Sequence, residues 1–135
     1  MANTVTKKRI SSSVKTQLVE CDATTLSGST YVAIIDVVDV ESYDRASIQM
    51  LANDGEGLTC QVWGSLFDTA AALPVTNSKW VQIGDDIVVT ENSGSMKSIA
   101  TTALRLLAVT VKATDGTSTA VITAGDCKVF LQGTI

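Results

Sequence analysis

Residues 104–124, LRLLAVTVKATDGTSTAVITA, narrow the possible folds more than any other stretch of the chain. Two runs rich in Val, Leu, Ile and Thr flank Asp115-Gly116, and Asp-Gly between alternating apolar residues is the strongest short-range signal for a β-hairpin. In an extended strand successive side chains point to opposite faces. Leu107, Val109, Val111 and Ala113 therefore share one face, and Leu106, Ala108, Thr110 and Lys112 the other. The first face reads as core. The second is too apolar for a fully wetted strand and has no chemistry beside it, so Leu106, Ala108 and Thr110 are expected to lie against another layer or another subunit.

The same pattern recurs along the chain. Residues 14–21, 31–40, 46–52, 58–63, 79–83, 86–90 and 127–132 read as strands, with YVAIIDVVDV at 31–40 forming either one strand or two broken near Asp36. Helix is disfavoured there because Ile34, Ile35, Val37, Val38 and Val40 lose side-chain freedom in a helix. Between the strands, DATTLSGS at 22–29 and NDGEG at 53–57 read as turns and ENSGSMK at 91–97 as an exposed loop, with a strand-like approach over 98–103. SLFDTAAAL at 65–73, ahead of Pro74, is the one place for a short helix or helical turn, capped by Ser65. Nine or ten short strands divided by turn residues predict an all-β fold: a single antiparallel β-sandwich, jelly-roll-like, over residues 14–135.

Ahead of it, residues 1–13 read as a flexible basic arm. The first fifteen residues carry Lys7, Lys8, Arg9 and Lys15 and no acid, which leaves −8 for the rest of a chain whose net charge is −4. An acidic body lacks the clustered Lys and Arg that phosphate binding needs, so a nucleic-acid partner is not expected. A membrane partner is not expected either, since the longest apolar run, at 31–40, is broken by Asp36 and Asp39 and residues 1–13 are too polar for a secretory signal. The chain is 45% hydrophobic and only 18% charged, a composition that fits either apolar surface buried between subunits or a well-packed monomer rich in Ala and Val.

Catalytic chemistry is absent from the pattern. With no His, Ser-His-Asp and Cys-His nucleophile systems and the usual zinc and copper sites are excluded. Three cysteines, Cys21, Cys60 and Cys127, fall short of a four-cysteine zinc site, and their places within strands read as buried free thiols. No glycine-rich phosphate cradle occurs, and the acidic group Asp36, Asp39, Glu41 and Asp44 matches no calcium loop. No cofactor is expected. Trp63, Trp80, Tyr31 and Tyr43 are candidates for a sugar platform, but Trp80, in NSKWVQIG beside Ile83, reads better as packing over the core.

SYDRASIQM at 42–50, TNSKWVQIG at 76–84 and the stretch at 104–124 together resemble small β-sandwich virion structural proteins of tailed bacteriophages, most like capsid decoration (cement) proteins, over residues 41–131. That resemblance implies a non-enzymatic virion protein, made in the host cytoplasm, that stabilises a phage head by binding the major capsid protein as a homo-oligomer, with a trimer favoured. Lys7, Lys8 and Arg9 are then the expected electrostatic docking residues, and Leu106, Ala108 and Thr110 the expected interface face. A phage tail or host-recognition sandwich that binds surface glycan is the alternative.

Overall fold

The computed structural model describes residues 3–9, 13–53, 56–67, 79–116 and 118–134. Among the described residues there are twelve strands: β1 Asn3–Arg9, β2 Val14–Cys21, β3 Thr24–Leu26, β4 Val32–Asp39, β5 Arg45–Ala52, β6 Leu58–Ser65, β7 Val81–Gln82, β8 Ile87–Val89, β9 Ser93–Ala100, β10 Leu106–Ala113, β11 Ala120–Ile122 and β12 Cys127–Thr134. One sheet runs β1-β2-β12-β5-β9, and the facing sheet runs β4-β10-β6, with β7 and β8 both on β6. All of these pairings are antiparallel.

Setting aside the N-terminal β1 and the short strands β3, β7 and β11, eight strands remain. The first of them pairs with the last, the second with the seventh, the third with the sixth and the fourth with the fifth. That nesting is a long hairpin rolled into two facing sheets, the jelly roll. The expected antiparallel sandwich is therefore the fold.

The rolled topology is also why the hairpin at 104–124 does not form. β10 lies in the middle of its sheet and pairs with β4 on one side and β6 on the other, so it has no edge left for the residues that follow it. Those residues form β11, which pairs with β3 in a separate two-stranded sheet. Asp115-Gly116 does turn the chain, with the Ser118 N–H donating to the Asp115 carbonyl at 3.0 Å. Gly116, however, is not at positive φ, as the tight hairpin turn would require. The turn carries the chain from one sheet towards the other.

Other boundaries shift for related reasons. β3 lies within the 22–29 link. The 91–97 loop shrinks to a tight turn in which the Ser93 N–H donates to the Thr90 carbonyl at 3.2 Å and Asn92 takes the left-handed conformation. Everything from Ser93 onward is β9. Ser65 ends β6, and its Oγ accepts the Phe67 N–H at 3.1 Å, the bond a capping serine makes; residues 68–73 of the expected helical turn lie outside the described residues. The segment read as a flexible arm holds β1, in continuous register with β2 from Asn3↔Cys21 to Arg9↔Lys15; residues 10–12 of it lie outside the described residues.

The break expected near Asp36 is a pair of bulges. Ala108 on β10 faces both Asp36 and Val37, and a second register shift follows at Ile34. The bulges disturb alternation, leaving Ile34 and Ile35 both buried and Asp36 and Val37 both exposed. Between the sheets, Val19, Ile34, Ile35, Ile48, Met50, Val62, Leu107, Val109, Val129 and Leu131 form one continuous apolar core.

Candidate functional site

The expected interface face of β10 is covered by the chain itself. Leu106 and Ala108 pack with buried Trp80 and half-buried Trp63 in a second small cluster on the outer surface of the β4-β10-β6 sheet. Thr110 is fully buried there, its Oγ1 accepting a 2.9 Å hydrogen bond from the Trp63 indole. These three residues therefore do not present an interface. Trp80, expected to pack over the core, does so from the outer face of this sheet, where it supplies the layer that covers Leu106 and Ala108. Among the described residues its Nε1 is the one buried side-chain donor with no acceptor. Tyr43 is buried with its hydroxyl donating to Gln17 Oε1 at 2.9 Å.

The three thiols sit in the core. Burial pushes the Cys60 thiol up to about 12 and the Cys127 thiol well above its ordinary range, and the Cys127 backbone N–H points at Cys21 Sγ at 3.3 Å. Buried neutral thiols are poor nucleophiles and poor metal ligands. Among the described residues, no group of three or more His, Cys, Asp or Glu is placed to hold a metal ion. Glu41, from the acidic group, forms a surface ion pair with Arg105 at 3.2 Å.

What distinguishes the surface is the treatment of its sheet edges, because an edge strand exposes unpaired backbone donors and acceptors that invite another strand. Edges are commonly blunted by bulges, by charge or by brevity. β4 carries its two bulges, and the side-chain amide of Asn3 pairs with the Asp36 backbone, accepting its N–H at 3.3 Å and donating to its carbonyl at 3.5 Å. β7 and β8 are two and three residues long. β1 carries exposed Lys7 and Lys8 and ends at Arg9.

β9 is neither short nor bulged, and its one guard is a single lysine. Its eight residues, SGSMKSIA, run in unbroken register along β5 from Arg45↔Ala100 to Ala52↔Ser93. Its single charge, Lys97, is turned inward, with Nζ donating to the carbonyls of Ile83 at 3.1 Å and Asp85 at 3.3 Å. At the end of this ladder the Thr101 N–H donates to the Asp44 carbonyl at 2.9 Å. Backbone groups alternate sides along an antiparallel strand. The N–H and C=O groups of Gly94, Met96, Ser98 and Ala100 therefore point away from β5, and all four residues are exposed.

Beside this edge is a largely apolar notch of about 300 Å³ lined by Gly64, Leu66, Phe67, Val81, Ile83 and Leu104, with Ser65 and Lys79 at its rim. Leu66 and Val81 are each 68% exposed and Phe67 52%, so large apolar groups stand in water around it. Sequence reasoning missed both features: Ser and Gly at 91–97 look like loop residues, and the notch is assembled from segments far apart in the chain. The available signal was the alternation of Ser95, Lys97 and Ile99 against Met96, Ser98 and Ala100.

Neither comparison with protein-family models nor comparison with curated protein sequences found a match. Among solved structures, the chain is similar to one from Bacillus endospore appendages, described as a novel family of disulfide-linked pili. The likeness spans 100% of this chain and 92% of the other, with a TM-score of 0.50 and 16% sequence identity. It is a likeness of fold. The neighbour is an appendage protein of a bacterial endospore, which overturns the reading of this chain as a phage capsid decoration protein and fits the glycan-binding phage alternative no better.

Proposed function

We propose that this protein is a structural subunit that polymerises with copies of itself, non-covalently, through pairing of the open edge of β9. The observation that carries this reading is the contrast between edges: β4, β7, β8 and β1 are bulged, short or several times charged, while β9 is long and in unbroken register, with a single charge turned inward off the edge. A chain under pressure to stay monomeric guards such an edge. A chain that assembles needs it, since backbone pairing along an edge supplies affinity. The pilus described for the fold neighbour supports an assembling role. The linkage differs, however: that family is disulfide-linked, whereas Cys21, Cys60 and Cys127 are all buried here, so backbone pairing and apolar contact must do the joining.

The test is sedimentation velocity and negative-stain electron microscopy of the purified chain over a range of concentrations, with Ser98→Pro as the variant. Proline removes the outward-facing N–H and places a ring at the edge, while the backbone ladder to β5 keeps its bonds and only the exposed Ser47–Ser98 hydroxyl contact at 3.1 Å is lost. Filaments or long oligomers that disappear in Ser98→Pro, with thermal unfolding little changed, are the expected result. A chain that stays monomeric at every concentration, or polymers that persist in a folded Ser98→Pro variant, would refute the proposal.

A further inference from the structure

We infer that the strand received by β9 is β1 of a second copy, with Val5 seated at the apolar notch and Lys7 and Lys8 set against Asp85 and Glu91. This rests on the assembly reading above and names the partner surface within it. β1 and β9 are the two outer strands of the same five-stranded sheet, so joining them continues one sheet from copy to copy. The contact is heterologous, and heterologous contacts that do not close into a ring generate filaments.

Three observations select β1 over other partners. The first is position. Val5 and Lys7 are in register with Val19 and Gln17, and Val19 lies in the core, so Val5 and Lys7 point to the inward side of the sheet. On β9 the inward side is marked by Lys97, which reaches the Ile83 carbonyl, and Ile83 lines the notch. A β1 strand added to β9 therefore carries Val5 on the notch side.

The second is apolar exposure on both partners. Val5 is 47% exposed in its own chain, and Leu66, Phe67 and Val81 are more than half exposed around the notch. Contact removes both from water at once.

The third is charge. β1 is the basic strand of an acidic protein, and the exposed acids Asp85, Asp86 and Glu91 flank β9 and outnumber the two cations near it, Lys97, held on the Ile83 and Asp85 carbonyls, and Lys79, whose Nζ lies over the Phe67 ring at the notch. Pairing β1 with β1, or β9 with β9, would instead oppose like charges, which is destabilising across strands.

The test is charge exchange, read as the critical concentration for polymer formation. Lys7→Glu with Lys8→Glu is expected to raise it about tenfold or more, as is Asp85→Lys with Glu91→Lys, since each set turns attraction between strands into repulsion. A 1:1 mixture of these two variants restores assembly, because each β1 then meets an oppositely charged β9; a single chain carrying all four substitutions does the same. Val5→Ser weakens assembly and Val5→Ile preserves it. All these positions are exposed, and thermal unfolding verifies that each variant is folded. Polymers that are abolished by Ser98→Pro yet unaffected by Lys7→Glu with Lys8→Glu would show that β9 assembles with some other strand. Failure of the mixture to restore assembly would likewise overturn the assignment of β1. An unmodified chain that never polymerises would fail earlier, at the assembly reading itself.

Discussion

Replacing Thr110 with Val separates an intramolecular role for this residue from an interfacial one. Thr110 is fully buried, and its hydroxyl accepts the Trp63 indole N–H at 2.9 Å. Valine matches threonine in shape and strand preference, so the change removes the acceptor while leaving little cavity. The indole N–H is then left without a partner in a half-buried site, and such a loss costs about 1–3 kcal/mol. Because Trp63 is only partly covered, water recovers some of that, and a destabilisation of about 1–2 kcal/mol is expected. For a domain of this size that corresponds to a fall in Tm of roughly 3–8 °C. Urea unfolding followed by tryptophan fluorescence measures it, with Thr110→Ser as the control that retains an acceptor. The Trp63→Phe background supplies the decisive comparison, for there the donor is already gone and Thr110→Val should cost little. Equal losses in both backgrounds would show that the hydrogen bond is not the source. A loss confined to assembly, with monomer stability unchanged, would return Thr110 to the interface.

Three further outcomes follow from the core. The Cys60 thiol has a folded pKa raised to about 12 against an ordinary value near 9, so the unfolded chain releases its proton first. Its contribution is fully present below pH 9 and is lost as pH rises towards 12, at about 1.4 kcal/mol per pH unit, and Cys60→Ala should flatten that part of a urea-derived stability profile. At neutral pH an aromatic disulfide reagent should label none of the three thiols in the native chain and all three in urea, because all are buried; rapid native labelling would contradict their placement. Gly133→Ala should destabilise by several kcal/mol in thermal unfolding, since a Cβ there would lie 2.6 Å from the Ser42 carbonyl oxygen and 3.0 Å from Tyr43 Cα, both backbone atoms with little room to move.

How far the sequence is legible here depends on the range of the interaction that decides each feature. Alternation within a strand is local, so β2, β5, β6, β8 and β12 stand close to where Val, Ile, Leu and Thr place them. Even the disturbance at Asp36 is visible, because two acids interrupt a β-branched run and the strand answers with a bulge. Pairing is not local. Asp115-Gly116 has the chemistry of a hairpin turn, but β4 and β6, far earlier in the chain, already occupy both sides of β10. The second face of β10 was rightly read as covered; that Trp80 and Trp63 cover it depends on the return of residues 79–83 along β6, which no periodicity reveals. β9 was hidden for a different reason. A strand with one edge open and one face in water has few apolar residues, and its Ser and Gly content resembles that of a loop.

That last point bears on why such a chain would leave β9 so open. A jelly roll has four edges, and each is a place where copies can join without control. Here the guards are distributed unevenly: bulges and the Asn3 amide on β4, brevity on β7 and β8, a run of positive charge on β1, and on β9 only the inward-turned Lys97. Charge is the guard that discriminates, because Lys7 and Lys8 repel another basic edge and accept an acidic one. An edge protected by a run of basic residues on one side of a sheet and a longer, more open edge flanked by acids on the other give a subunit two unlike ends. Such a subunit has a direction in which it can add. If direction is the purpose, reversing Lys7 and Lys8 alone should do more than weaken assembly. It should abolish the distinction between the ends, and restoring it should require reversal of Asp85 and Glu91, whatever the salt concentration does to the strength of either contact.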